Sequence, residues 1–146
     1  MRKFAFKLEA LHEYRQMMEG MTLRDLAVVV QRLEEEELKL DVLKELYHKS
    51  SKDADIAKAA SDIRGFRRYA DYLEGLKRHI EEQGRVIDIF REEYRLKRDE
   101  LSGISRDRKA LDKVKESGHR RHVKERDCAE QKEIDEISAS ESARKK

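Results

Sequence analysis

The chain has 146 residues, room for one domain, and its 45% charged against 38% hydrophobic and 6% aromatic residues suit a molecule rich in surface and poor in interior. Its 34 basic and 32 acidic residues are interspersed and leave a net charge of +2, which excludes a polycation and weakens any nucleic-acid reading. No apolar run approaches the ~20 residues of a membrane span, and the start Met1-Arg2-Lys3 leads into a charged amphipathic stretch, not a secretory apolar region.

The first predicted helix covers about residues 4–50. Phe4, Leu8, Leu11 and Met18 form one stripe, and Leu26, Leu33, Leu40 and Tyr47 recur at sevens with Val29 and Leu43 in the alternate row. The two stretches are one residue out of phase, so a slip in the coil is expected near Gly20. The run Glu34-Glu35-Glu36-Glu37 reads as a solvated face, with Glu36 falling where the seam would be.

The pattern then fades. Turn and N-cap residues around Ser50-Ser51-Lys52-Asp53 and Ser61-Asp62 place the reversal over about residues 51–61. The second helix is predicted over about 62–137, with a frayed tail at 138–146. It carries the clearest repeat of the chain. Phe66, Leu73, Ile80, Ile87, Tyr94 and Leu101 recur at sevens, and Tyr69, Leu76, Gln83, Phe90, Lys97, Ile104 and Leu111 form the second row. The absence of proline lets it run uninterrupted.

Two stripes of similar length joined by a short connection predict an all-α fold: a long antiparallel two-helix coiled-coil hairpin, one domain over 1–146, monomeric on its own. Leu43 and Tyr47 are expected to face Phe66 and Tyr69, and Phe4 and Leu8 to lie level with residues 104–111. Beyond Leu111 the apolar row thins into a basic cluster (Lys113, Lys115, Arg120, Arg121, Lys124, Arg126) and then an acidic run (Asp127, Glu130, Glu133, Asp135, Glu136). This excess of the second helix reads as a surface for a protein partner.

Site chemistry is absent from the sequence. There is no glycine-rich phosphate loop and no His-x-x-x-His or Cys/His cluster, and lone Cys128 has no internal partner for a disulfide. His119 and His122 share a helix face, but Arg120 and Arg121 beside them repel a cation. The chain is therefore expected to be no enzyme and to hold no cofactor or metal.

Three stretches resemble the FliJ family. They are the opening Phe4-Ala5-Phe6-Lys7-Leu8-Glu9-Ala10-Leu11-His12-Glu13-Tyr14-Arg15, the middle Tyr69-Ala70-Asp71-Tyr72-Leu73-Glu74-Gly75-Leu76 with Ile80-Glu81-Glu82-Gln83, and the late Glu130-Gln131-Lys132-Glu133-Ile134-Asp135-Glu136. The resemblance implies a coiled coil similar to the central stalk of rotary ATPases. It implies a non-catalytic part in flagellar type III protein export, and so in motility and chemotaxis. The implied partners are the export ATPase FliI, whose ring the joined ends enter, the export gate FlhA, and export chaperones. The implied place is cytoplasmic, peripheral at the inner membrane.

Carried over residue by residue, the gate contact falls on Tyr72, Leu76, His79 and Gln83, of which the last two depart from the family pattern. The ATPase-ring contact falls on Phe4, Phe6, Leu8, Leu11, Tyr14 and Arg15 near the start, and on Gln131, Lys132, Asp135 and Glu136 near the end. The related injectisome stalk, a generic coiled-coil adaptor and a nucleic-acid-binding protein remain as alternatives.

Overall fold

In the computed structural model, which describes residues 3–144, the chain forms two α-helices, α1 (Glu9–Ala59) and α2 (Ile63–Arg144), with no strand among the described residues. They pack against each other as an all-α helical hairpin.

The helix bounds differ from those read in the sequence, for physical reasons. Residues 4–6 lie outside α1. Phe4 and Phe6 are half-buried and Ala5 between them is exposed, the alternation of an extended segment, and both rings lie against α2. At the other end α1 runs on to Ala59 and not to about residue 50. Ala54, Ala57 and Ala59 are strong helix formers, and Ser50, Ala54 and Ala57 are all buried. Residues this small let two helices approach closely, so a stretch with few bulky apolar residues still belongs to the seam. At the far end α2 stays helical to Arg144, beyond the expected end near 137.

The turn is correspondingly tight. The Asp62 N–H donates to the Ala57 carbonyl at 2.9 Å and the Ser61 N–H to the Lys58 carbonyl at 3.1 Å, which closes α1 with a Schellman motif. Ser61 sits at φ 57°, the left-handed position that usually takes glycine. Asp62 then caps α2. Its side-chain oxygen accepts the Gly65 N–H at 3.0 Å and its carbonyl accepts the Phe66 N–H at 2.9 Å. A Cβ on Gly65 would stand 2.1 Å from the capping carboxylate, so any larger residue there makes that carboxylate shift.

Contacts gather in two compact units: a turn unit, Met21–Leu101, and a terminal unit, Met1–Gly20 with Ser102–Lys146. In the turn unit the buried residues are Thr22, Val29, Ser50, Ala54, Ala57, Leu76 and Ile87, with Ile87 only 2% exposed. Leu26, Leu33, Leu40, Leu43 and Tyr47 of α1, and Leu73, Ile80, Phe90, Tyr94 and Leu101 of α2, are half-buried between them. This is the threes-and-fours spacing of a coiled-coil seam.

Register in the turn unit follows from the long α1. Lys58 Nζ lies 5.9 Å from the centre of the Phe66 ring, and Gln83 Nε2 donates to the Glu36 carbonyl at 3.0 Å and to its carboxylate at 2.6 Å. Leu43 and Tyr47, which lie between these two levels on α1, are therefore level with residues 73–80 and not with Phe66 and Tyr69. Two more turns of helix before the reversal push every α1 residue further along α2.

The terminal unit corrects the predicted seam as well. Leu8 and Leu11, placed in the seam by the sequence reading, are exposed, while His12 is buried at 6% exposure and Arg15 and Glu19 are half-buried. The row is His12, Arg15, Glu19 and then Thr22, which keeps heptad spacing without any slip at Gly20. Phe4 lies against Gly118, His119 and His122, not level with 104–111.

Candidate functional site

Two places carry the residues singled out by the sequence. The first is the terminal unit. Charged pairs line its seam itself, whereas in the turn unit the seam is mostly apolar and cross-helix pairs such as Arg91 with Glu37 at 3.1 Å lie at its exposed margin. His12 Nε2 lies 2.5 Å from Asp112 Oδ1, Arg15 lies 3.3 Å from Asp107, and Lys115 lies 2.8 Å from Glu9. Arg108 joins Glu19 across the helices and Asp112 one turn on, the latter at 2.5 Å. The hydrogen bond from Arg108 holds the Glu19 carboxyl below its usual range, and the one with His12 does the same for Asp112.

Around this polar seam the extended start adds an apolar lining. The Phe4 ring meets His119 edge-on at 5.3 Å and His122 at 5.7 Å. It lies over Gly118, where an added Cβ would stand 3.4 Å from the ring. Phe6 meets the His12 ring at 6.4 Å, with Lys115 Nζ 5.9 Å from its centre. Phe4, Phe6 and Arg15 are thus half-buried in contacts within the unit, whereas Leu8, Leu11 and Tyr14 are exposed. The alternation of Phe4-Ala5-Phe6 is the signal by which the extended start is recognisable in sequence.

Near the end of α2, Gln131, Lys132, Asp135 and Glu136 are all exposed. Gln131 bonds only its own-turn neighbour Asp135, at 2.9 Å. The sequence-predicted residues at the two chain ends therefore share one unit, but no hydrogen bond or ion pair joins the first set to the second among the described residues.

The second place is the stripe on α2 in the turn unit, and the structure divides it. Tyr72 is 49% exposed, and His79 is exposed beside Glu82 at 3.7 Å. Leu76 is buried in the seam at 4% exposure, and Gln83 is committed to Glu36. That pairing, together with Lys39, holds the Glu36 carboxyl below its usual range, Lys39 being the larger cause. Glu36 and Gln83 thus make a cross-helix polar pair at a seam position, a device that fixes register. Lys97, the other polar residue of the row, turns its ammonium out to Glu100 at 3.1 Å and Asp25 at 3.8 Å.

Among the described residues no group of three or more His, Cys, Asp or Glu is placed to hold a metal ion, and no helix is long and apolar enough to cross a membrane. The family model described as flagellar FliJ protein matches residues 4–146. The chain belongs to the FliJ family. No curated protein and no solved structure matches it. The FliJ membership makes the chain a flagellar, export-related component of non-enzymatic kind.

Proposed function

We propose that this FliJ-family chain is the stalk of the flagellar export ATPase: its terminal unit enters the ATPase ring, and its turn unit reaches the export gate. The observation that carries this reading is the charged seam of the terminal unit. Directional cross-helix pairs hold two chain ends in fixed register, while α2 continues past His122 with exposed polar residues available to line a protein pore. A non-catalytic insert of this kind promotes ring assembly and hydrolysis by favouring one state in the subunits it touches.

Leu8, Leu11, Tyr14, Gln131, Lys132, Asp135 and Glu136 present exposed surface for the ring, and Phe4, Phe6 and Arg15 shape it from within. At the gate the available groups are Tyr72 and His79, while Leu76 and Gln83 support the helix beneath them. Export chaperones are further partners of the same exposed surfaces. The place of work is the cytoplasmic face of the inner membrane, where the ATPase ring meets the gate.

The test is co-purification with the export ATPase followed by its hydrolysis rate. The whole chain is expected to bind and to raise the rate several-fold, and a chain lacking 131–146 to bind and stimulate less. Equal binding and stimulation by the truncated chain would remove the assignment of the ring contact to this end.

A further inference from the structure

The terminal unit holds an open groove of about 660 Å³ between the extended start and α2, lined by Phe4, Phe6, Leu8, Val114, Ser117 and Gly118. Its charged lining residues are Lys7, Lys113 and Arg121, all basic. None of the three makes an ion pair among the described residues, although the neighbouring Arg108, Lys115 and Arg120 are all paired within the chain. Other cations of the unit, such as Lys109 and Lys124, are unpaired too, but these three stand together around one apolar floor. Leu8 and Val114 on that floor are exposed, and Leu11 and Tyr14 extend the apolar surface along α1.

We infer that this groove docks an acidic amphipathic helix of a partner protein. Its apolar side chains rest on Phe4, Leu8 and Val114, and its carboxylates meet Lys7, Lys113 and Arg121. Complementary charge selects the occupant, because a basic or neutral helix would leave the three cations unanswered or repelled. The groove is open and not enclosed, which suits the face of a helix better than a small molecule. The chain's own acidic stretch at 127–136 cannot serve. It lies on the same continuous helix as the groove wall, nine or more residues beyond Gly118, and no proline interrupts that helix to fold it back. The inference rests on the reading that the terminal unit meets the ATPase ring, and it specifies the chemistry the ring must offer there.

The probe is a fluorescent synthetic helix of glutamates with leucines at threes and fours, titrated with the whole protein. Two control peptides carry Lys for Glu, or Ser for Leu. The acidic amphipathic peptide is expected to bind at least tenfold more tightly than either control. Its affinity should fall by roughly tenfold in 0.5 M salt, because these charges are exposed and screened. The variant Lys113→Glu with Arg121→Glu should lose that binding, while Arg64→Glu with Arg67→Glu, in the turn unit, should keep it. Circular dichroism and melting temperature show that each variant folds.

Equal binding of the acidic and basic peptides, no loss on removing the leucines, or unchanged binding by the groove variant would each overturn the inference. The ATPase pull-down separates this result from the stalk reading. A groove variant that fails with the peptide but still binds the ring removes the groove as the ring's dock and leaves the stalk. Peptide binding by a chain that never binds the ring leaves the groove and removes the stalk.

Discussion

The two units solve one packing problem with opposite chemistry. The turn unit closes its helices over Val29, Ala54, Ala57, Leu76 and Ile87, where burial does the holding and small residues set the spacing near the reversal. The terminal unit places His12, Arg15 and Glu19 at the equivalent row of α1 and answers them with Asp112, Asp107 and Arg108. Apolar burial is non-directional and indifferent to pH, so it tolerates sliding and holds under most conditions. Ion-paired hydrogen bonds accept one register only and depend on protonation and salt. The difference places permanence near the turn and conditional, specific pairing near the chain ends, where the proposed partner acts.

The strongest way to break this contrast is to remove the best-buried side chain of the turn unit. Ile87→Ala should cost about 3 kcal/mol in urea unfolding, since a fully buried aliphatic leaves both its transfer energy and a cavity behind. Amide hydrogen exchange then distinguishes the regions. Protection should fall most around Val29, Leu76 and Ile80. If the loss were instead largest in residues 9–20, the apolar seam would not be what holds the turn unit.

Acid is the complementary probe and acts on the other region. Glu19 and Asp112 have carboxyls held below their usual range by Arg108 and His12 respectively. A carboxyl whose folded pKa is depressed adds stability that is complete above its unfolded value, about 4, and is lost as pH falls through the folded value. Lowering the pH from 7 to below about 4 should therefore loosen the terminal unit first. Pepsin at low pH is expected to cut within residues 9–20 and 102–120 before it cuts the turn unit, where Glu36 and Glu92 respond to acid with the same sign but lie beside an apolar seam that acid leaves in place. Initial cleavage around Leu76 and Ile87 would reverse the assignment.

The contrast also explains what was legible beforehand. The heptads from Leu26 to Tyr47 and from Leu73 to Leu101 announced themselves because large apolar residues recur at fixed spacing, and they were enough to predict the helical hairpin. The terminal seam was misread because the same rule looks for apolar side chains. It chose Leu8 and Leu11 over His12, and invented a slip at Gly20 to accommodate the choice. Polar seam residues are recognisable only in pairs, and the pairing of His12 with Asp112 spans the whole hairpin. The stretch 51–59 failed for a different reason: Ser50, Ala54 and Ala57 pack by being small, which a search for bulky residues passes over. Of the candidate site, the exposed Tyr72 was legible from its place off both rows. The groove was not, because it depends on an extended start that a helical reading from Phe4 removes.

The smallest expected effect concerns the turn itself, and it sharpens the contrast by strengthening the side that is already permanent. Ser61 holds φ 57°, where a side chain is disfavoured by roughly 1 kcal/mol and glycine is at ease. Glycine also costs more entropy to order, which offsets part of the gain. Ser61→Gly should then stabilise the chain by about 0.5 kcal/mol, read as a higher urea midpoint at unchanged slope. The Schellman bonds from Ser61 and Asp62 use backbone groups alone, so they survive the change. The neighbouring Gly65→Ala should leave the midpoint nearly unchanged, because its Cβ displaces the Asp62 carboxylate that caps α2 while alanine gains about 1 kcal/mol of helix propensity. If Ser61→Gly were destabilising, Ser61 would have to contribute something beyond its backbone conformation.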